Sequence, residues 1–186
     1  MTAVDDRTTA IYESLEVPEG YKAELIRGEI VMMAGPDRVH NWIVESILDQ
    51  IPRTDWHRAQ TQDIAIPEQA SEPQPDLVVY ERGSVEGPGR LIPSAAVTMV
   101  VEVVSKTSGH RDYQEKRQLY AEGSIPVYLI VDPIEGVCLL LTEPSDGMPS
   151  GVSDYRSART TKFGEPIAVD ALGLTLDTSE FQTYSS

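Results

Sequence analysis

The chain has 186 residues, of which 40% are hydrophobic and 24% are charged, a composition that excludes global disorder and suits one globular domain. Its 15 basic and 30 acidic residues give a net charge of −15, which works against nonspecific adhesion to nucleic acid or to anionic membranes. One cysteine excludes an intrachain disulfide and a four-cysteine zinc site, and without a secretory signal or an apolar run of membrane-spanning length we expect no membrane association and a cytoplasmic location.

The N-terminal part of the chain predicts a lead-in, a hairpin and a helix. Residues 1–20 are expected to form a loose lead-in with a short helix around residues 11–15, and a single domain follows over residues 21–186. The segment YKAELIRGEIVMM predicts two short strands around a tight Arg27-Gly28 turn. The segment DRVHNWIVESILDQI predicts a helix, because its apolar residues recur at helical spacing behind Asp37, a residue suited to the N-cap.

The middle of the chain predicts strands separated by loops. Residues 57–66 alternate in polarity and predict a half-buried strand, and DLVVY predicts a short buried strand. The segments EQASEPQP and ERGSVEGPGRLIP are rich in turn-forming residues and are expected to be loops. Residues 96–104 then predict a buried strand, since apolar side chains surround Glu102 on both sides.

The remaining segments complete a sheet of mixed direction. A second helix is indicated by Asp112 and Glu115 at capping-box spacing and by Gly123 as its stop. The segments PVYLIVDP and VCLLLTE predict a further pair of strands, and short strands are expected from residue 154 to the end. We therefore predict an α/β or α+β fold, with a central mixed β-sheet flanked by a few helices.

Three carboxylates attached to apolar strands are the candidate functional residues. Glu24 lies in AELI, Asp76 opens DLVVY, and Glu102 lies within VVEVV. Burying a lone carboxylate is costly unless a basic side chain, a proton or a metal ion neutralises it. A purely structural alternative stays open for each residue: Glu24 could face water, Asp76 could cap a loop, and Glu102 could lie in an edge strand or a salt bridge.

An aspartate at a strand start and a glutamate within a nearby strand can place two carboxylates side by side. Such a pair binds a hard divalent cation through oxygen, with water completing the coordination shell. A magnesium ion held in this way stabilises the charge of a phosphoryl transition state. The two strand carboxylates therefore indicate metal-assisted phosphoryl chemistry.

The pair Pro75-Asp76 and the Glu-x-x run at residues 102–104 resemble the core motif of PD-(D/E)XK nucleases, except that Val104 stands where that motif has lysine. A longer pattern runs through AELIRGEIV, His40 at the start of a helix, QPDLVVY and VVEVVSKTSGHRDYQEKRQLYAEGSIPVYLIVDP. This pattern resembles the Uma-two family of bacterial restriction-endonuclease-like proteins, from about residue 21 to the end. The resemblance implies a restriction-endonuclease-like core.

The resemblance also implies a lysine that has moved. The family pattern carries its catalytic lysine in the helix instead of the strand, so Lys116 would replace the missing strand lysine. Lys106 is the rival, because it is nearer to Glu102 in sequence. The structural alternative for Lys116 is a surface ion pair with Asp112. Tyr120, four residues after Lys116, matches the family's tyrosine and would support the site.

The implied centre binds Mg²⁺ or Mn²⁺ through Asp76 and Glu102, with Glu24 as the third ligand candidate and the backbone carbonyl of Val103 as a further one. Asp76, Glu102 and Lys116 are the predicted catalytic residues of an endonuclease-like hydrolase.

The implied partners are nucleic acid, with DNA preferred, and a second copy of the chain. A homodimer is favoured by the apolar strand segments VYLIV and CLLL, and the resemblance supports it. His40 is expected to contact a phosphate or to cap its helix. A basic group could meet phosphates and consists of Lys106, Arg111, Lys116 and Arg117. The competing hypothesis is a catalytically inactive nuclease fold that works as a dimeric binding or regulatory module, favoured by the acidic surface and the missing strand lysine.

Overall fold

The computed structural model describes residues 3–106, 108–145 and 151–184. It contains three α-helices, α1 (Ala3–Glu13), α2 (Arg38–Gln50) and α3 (Lys116–Glu122), and a π-helical turn over Arg111–Glu115 that leads into α3. The strands of the described residues are β1 (Tyr21–Ile26), β2 (Glu29–Ala34), β3 (Trp56–Ala59), β4 (Asp63–Ala65), β5 (Leu77–Glu81), β6 (Leu91–Pro93), β7 (Val97–Val103), β8 (Val127–Asp132), β9 (Val137–Ser145), β10 (Asp154–Lys162), β11 (Ile167–Val169) and β12 (Leu174–Leu176).

A six-stranded sheet of mixed direction forms the centre, in the order β10-β9-β8-β7-β5-β3. The strands β7 and β8 are parallel, and the other neighbours in this sheet are antiparallel. A parallel pair needs a crossover connection, and here the π-helical turn and α3 provide it. The predicted mixed sheet flanked by a few helices is therefore confirmed.

Apolar side chains cover both faces of this sheet. One cluster packs α2 against alternate residues of the central strands, including Met99 and Val101 of β7. The other cluster packs α3 against the intervening residues, including Val100 and Val104. Because both faces are covered, β8 is buried along its whole length, which explains its unbroken apolar run. Glu102 points to the α3 side, between Val100 and Val104, since side chains alternate along a strand.

The hairpin β1–β2 lies at one side of the sheet, and its predicted turn is confirmed. Arg27 and Gly28 both adopt positive φ angles, 51° and 77°, as a tight two-residue hairpin turn requires. The backbones of Leu25 and Glu72 are hydrogen-bonded to each other in both directions, which attaches β1 to the segment that precedes β5. This attachment brings Glu24 towards the central sheet.

The first long helix is confirmed, together with its cap. The side chain of Asp37 accepts a hydrogen bond of 3.0 Å from the backbone N–H of His40, which satisfies a free donor at the start of α2. Four residues on the inner face of α2 are buried, among them His40. The cap and the hydrophobic face together fix the direction in which His40 points.

Three local predictions are corrected. Residues 57–66 do not form one strand: the chain turns at Thr61, whose φ is 51°, and β3 and β4 belong to different sheets. The first helix, α1, begins earlier and is longer than the predicted helix around residues 11–15; residues 1–2 lie outside the described part. The capping box of Asp112 and Glu115 is wrong, because Asp112 is buried within the π-helical turn.

Within the described residues, no helix is long and apolar enough to cross a membrane.

Candidate active site

Asp76 and Glu102 are brought together by the pairing of two strands. In the antiparallel register of β5 and β7, Leu77 lies opposite Val101, so one step further Asp76 lies opposite Glu102. Asp76 is held there by the backbone N–H of Val103, which donates a hydrogen bond of 2.8 Å to its Oδ2. The two predicted carboxylates are therefore neighbours at the end of a rigid, buried sheet.

Lys116 reaches this pair from the helix. The π-helical turn ends where α3 begins, so Lys116 is the first residue of α3, and it points into the protein with 1% of its surface exposed. Its Nζ donates to Glu102 Oε1 at 2.6 Å. One turn later, the hydroxyl of Tyr120 donates to the same oxygen at 2.7 Å. The buried Lys116 is thus in contact with Glu102, and its replacement of the strand lysine stays a prediction.

Glu24 contacts the same lysine from the other side. Its Oε1 accepts hydrogen bonds of 2.8 Å from Lys116 Nζ and from the backbone N–H of Gln74. Glu24 is completely buried, which rules out the alternative that it faces water, and its Oε2 has no hydrogen-bond partner among the described residues. Lys116 therefore stands between Glu24 and Glu102, and the alternative of a surface pair with Asp112 is wrong because both side chains are buried.

Asp76 has two further partners. Lys22 Nζ lies 3.1 Å from Asp76 Oδ1, and His40 Nε2 lies 2.8 Å from Asp76 Oδ2. Burial alone would raise the pKa of Asp76, but the charge of Lys22 and the hydrogen bond from His40 hold it well below its usual range. Asp76 is therefore ionised at neutral pH. His40 lies in the first turn of α2, and its Nε2 orients this carboxylate. The other ring nitrogen, Nδ1, has no partner in the described part of the chain.

These side chains line one cavity of about 80 Å³. Its charged lining residues are Lys22, Asp37, Asp76, Glu102, Arg111, Asp112 and Lys116. Together with Glu24 behind Lys116, five carboxyl groups face three basic side chains, which gives a formal net charge of −2 when all five are ionised and His40 is neutral. The excess of negative charge makes the cavity suited to a cation.

The pKa values of the buried pair Glu102 and Lys116 depend on burial and on the charges around them. Burial raises the pKa of Glu102 to about 8, against the lowering effect of Lys116, and the charge of Asp76 adds to the rise. Burial by itself would lower the pKa of Lys116, but Glu102 and Glu24 reverse this effect and raise it above its ordinary value. Lys116 therefore stays protonated at neutral pH, whereas Glu102 can release its proton when another cation binds beside it.

The donor set fits a hard divalent cation with an incomplete protein shell. Asp76 and Glu102 offer carboxylate oxygens to the cavity, and Val103, which carries the predicted carbonyl ligand, also lines it. Within residues 3–106, 108–145 and 151–184, no group of three or more histidine, cysteine or carboxylate side chains is gathered to hold a metal ion. Glu24 is turned towards Lys116, so its place as a third ligand stays a prediction.

Only two of the four residues in the predicted basic group are among the described residues that line the cavity. Arg117 forms a bidentate ion pair with Asp154, with N–O distances of 2.6 and 3.0 Å. Lys106 Nζ lies 6.0 Å from the ring centroid of Tyr184, and Lys106 is not among the described residues that line the cavity. Arg111 and Lys116 do line it. Position therefore favours Lys116 over Lys106 as the active-site lysine.

Sequence reasoning missed two residues of the site, Lys22 and Asp112. Lys22 lies two positions before Glu24 in β1, so the alternation of a strand puts both on one face, and this spacing was the available signal. Asp112 lies three positions before Glu115 and four before Lys116, and these spacings predict a helix cap and a surface pair. It is instead buried, accepts a hydrogen bond of 2.5 Å from Ser108, and has a pKa raised by burial.

We expect Tyr120→Phe to lower the free energy of unfolding by about 1.5–3 kcal/mol, because the lost hydrogen bond is made to a buried carboxylate. Urea denaturation at a pH above the Glu102 pKa of about 8 measures this change for the ionised carboxylate. Tyr155→Phe is a matched control: Tyr155 is also buried, but its hydroxyl donates to the neutral carbonyl of Ile125, and its loss is expected to cost about 1 kcal/mol. Equal losses in the two variants would contradict the charged character of Glu102.

Comparison with known proteins shows a similar fold and identifies the family of the chain. A crystal structure described as "a putative nuclease belonging to DUF820 from Anabaena variabilis ATCC 29413" superposes with a TM-score of 0.71, covering 91% of this chain and 94% of that chain at 12% identity. No curated protein matches the chain in sequence. The model of the Uma2 family, described as "Putative restriction endonuclease", matches residues 10–179. The chain therefore belongs to the Uma2 family, as the resemblance predicted.

Proposed function

We propose that the protein is a metal-dependent hydrolase of phosphodiester bonds in nucleic acid. The observation that carries this proposal is the convergence of Lys116 from a helix with Asp76 and Glu102 from two strands around one cavity, with Lys116 Nζ 2.6 Å from Glu102. This set of groups, two carboxylates and a lysine, is the chemistry that the nuclease motif requires. Family membership and fold point in the same direction without defining the substrate.

Asp76, Glu102 and the carbonyl of Val103 would hold Mg²⁺ or Mn²⁺. When bound, such an ion would supply a Lewis acid that stabilises negative charge on the phosphate oxygens. The formal negative charge of the cavity favours the uptake of a cation, which would replace the proton that the raised pKa keeps on Glu102 at neutral pH. His40 and the Val103 N–H keep the Asp76 carboxylate in place.

The proposed role of Lys116 is electrostatic stabilisation by its ammonium group. Because its pKa is raised, it stays protonated and cannot accept a proton from water at neutral pH. It can instead stabilise the charge that develops on the phosphate, and in a buried site a positioned ammonium is far more effective than in water. Lys22 and Arg111, which also line the cavity, add positive charge on the side of Asp76 and of the π-helical turn.

Cleavage by the wild-type protein tests the proposal. Supercoiled plasmid, single-stranded DNA and RNA are each incubated with Mg²⁺ or Mn²⁺, and products are followed by gel electrophoresis. We expect cleavage of at least one substrate, its loss when a chelator removes the metal, and its return when excess Mn²⁺ is added. Absence of cleavage with every substrate and both metals would contradict hydrolysis.

One observation favours a second candidate, a catalytically inactive binding module. Lys116 already pairs with two carboxylates, and Asp76 with Lys22, His40 and a backbone N–H, so the charged groups neutralise one another much as in a structural ion-pair network. Calorimetric titration with Mn²⁺ separates the candidates, because a structural network would take up no ion.

A homodimer stays a prediction. The apolar strand segments that favoured it belong to β8 and β9, and within one chain they are covered by the helices and by neighbouring strands. They no longer argue for a second copy. Analytical ultracentrifugation measures the association state directly.

A further inference from the structure

A larger groove, of about 640 Å³, lies beside the active-site cavity. We call it the side groove; it runs between the end of α1, the start of β1, the loop from β2 to α2, and the polar segments around residues 60–63 and 74–76. The backbone N–H of Gly35 donates to the carbonyl of Gly20 at 2.7 Å, which joins two of these segments. A backbone hydrogen bond therefore fixes these two walls of the side groove relative to each other.

The side groove and the active-site cavity share a wall. Lys22, Gly35, Pro36, His40 and Asp76 line both. A molecule whose reacting bond lies at Asp76 and Glu102 can therefore extend a neighbouring group into the side groove without leaving the protein.

The active-site cavity itself admits only a narrow part of a substrate. The side chains of Asp76 and His40 are each 10% exposed, that of Glu102 is 3% exposed, and that of Lys116 is 1% exposed. A double helix is stiff over about 150 base pairs, so moving one of its phosphates into a buried pocket costs bending free energy that an unpaired strand does not require. The side groove, in contrast, has a volume typical of pockets that hold a small molecule, about 300–1,000 Å³.

The lining of the side groove suits a nucleobase. Tyr21 lines it with 55% of its surface exposed, and the apolar side chains of Leu15 and Val17 lie in the same groove. Asn41 and Gln60 offer amide groups that can hydrogen-bond to a base edge. Aromatic platforms bind unpaired bases without sequence preference, because every base has a π face.

The charges of the side groove are nearly balanced. Arg90 forms ion pairs with Asp63 at 2.6 Å and with Glu72 at 2.5 Å, so it offers little net charge to a phosphate. Binding in this groove must therefore rely on stacking and on base edges more than on the nucleic-acid backbone. An acidic protein of net charge −15 gains in this way a contact that does not require a basic surface.

We propose that the side groove binds about one or two unpaired nucleotides next to the scissile phosphate, with a base stacked on Tyr21, so that the substrate is a single strand or an unpaired end. This inference rests on the proposed phosphodiester hydrolysis and adds its substrate class. Tyr21 is a binding residue in it and takes no part in the chemistry.

Fluorescence anisotropy with a short labelled thymidine oligonucleotide tests the inference, in a chelator so that nothing is cleaved. The uridine oligonucleotide and a DNA duplex of the same length are measured beside it, which separates DNA from RNA. We expect the unpaired strands to bind at least 10-fold more tightly than the duplex. We expect Tyr21→Ala to weaken binding of the single strand by roughly 5- to 150-fold, the loss of one base–aromatic stack.

Two controls define the effect. Tyr21→Phe keeps the ring and should bind like the wild type, and Trp42→Ala removes an aromatic residue of similar exposure, 46%, that lies outside the side groove, and should also bind like the wild type. Duplex binding as tight as single-strand binding, or unchanged binding by Tyr21→Ala, overturns the inference while cleavage by the wild type still stands. Binding that depends on Tyr21 without cleavage of any substrate supports the groove and rejects hydrolysis.

Discussion

Lys116→Met is expected to lower the free energy of unfolding by about 3–5 kcal/mol at neutral pH, because it leaves Glu24 buried without its counter-charge and removes the ammonium that donates to Glu102. Both carboxylates are almost completely inaccessible, at 0% and 2% exposure, so water cannot replace the ammonium. Methionine preserves the length and the apolar stem of lysine, which isolates the effect of the charge. Urea denaturation followed by circular dichroism measures the loss.

The pH dependence of this loss has a defined sign. In the folded protein the pKa of Glu102 is already raised, to about 8 from an ordinary value of 4.5, and removal of Lys116 takes away the main group that lowers it. A carboxyl group whose folded pKa is raised destabilises the fold as the pH rises through that range. The part of the deficit that comes from Glu102 should therefore narrow as the pH falls towards about 8 and stay constant below it, because Glu102 is then protonated in both folded proteins.

Two comparisons define what would contradict this expectation. Lys106→Met removes the rival lysine, which is exposed and makes no ion pair with another described residue, and should cost about 0.5 kcal/mol or less. Lys116→Met combined with Glu24→Gln and Glu102→Gln should recover most of the lost stability, because neutral groups no longer need a counter-ion. A cost for Lys116→Met no larger than that of Lys106→Met would mean that the buried pairs do not form.

Local patterns predicted the elements that are decided within a few residues. The hairpin turn at Arg27-Gly28 and the cap at Asp37 depend on backbone conformation and on a hydrogen bond three residues away, and both are confirmed. The strand around Glu102 was predicted from its apolar run, and the side of the sheet to which Glu102 points follows from alternation. Such features need no knowledge of distant partners.

Features that depend on tertiary packing were not predictable in the same way. The strand order puts β3 beside β5 and ends the strand at Ala59, although residues 57–66 carry one continuous alternation. The π-helical turn places Asp112 inside the protein, whereas capping-box spacing suggested a helix start. Such turns often lie at functional sites, and this one precedes Lys116 directly. Asp76 and Glu102 lie 26 positions apart, and only strand pairing makes them neighbours.

The candidate site also explains why a fold would keep buried charges that it does not need for stability. Well-packed apolar residues in place of a buried ion pair are often neutral or stabilising, so Lys116, Glu24 and Glu102 are a poor solution for stability alone. Perturbed pKa values that arise from burial and a specific partner are typical of functional sites. We therefore expect these buried charges to lower the stability of the fold while they give the cavity its excess of negative charge.

Glu102→Gln is expected to abolish detectable hydrolysis and to weaken Mn²⁺ binding by at least about 100-fold. Mutation of a residue that only hydrogen-bonds to a metal ligand already lowers metal affinity by about 10–100-fold, and Glu102 would itself be a ligand. The amide oxygen of glutamine can still accept hydrogen bonds from Lys116 and Tyr120, so the packing around it should persist. Isothermal titration calorimetry with Mn²⁺ measures binding, and the cleavage assay measures turnover. An unchanged affinity for Mn²⁺ in this variant would remove Glu102 from the metal site.

Glu24→Gln is the matched comparison, because Glu24 contacts the same Lys116 but is not among the described residues that line the cavity. If Glu24 only positions Lys116, this variant should weaken Mn²⁺ binding by about 10-fold or less. Losses of equal size in the two variants would instead make Glu24 a third ligand, as the resemblance implies, and would require Lys116 to move away from it when the metal binds. The ratio of the two losses therefore distinguishes a lysine held by Glu24 from a metal ion held by Glu24.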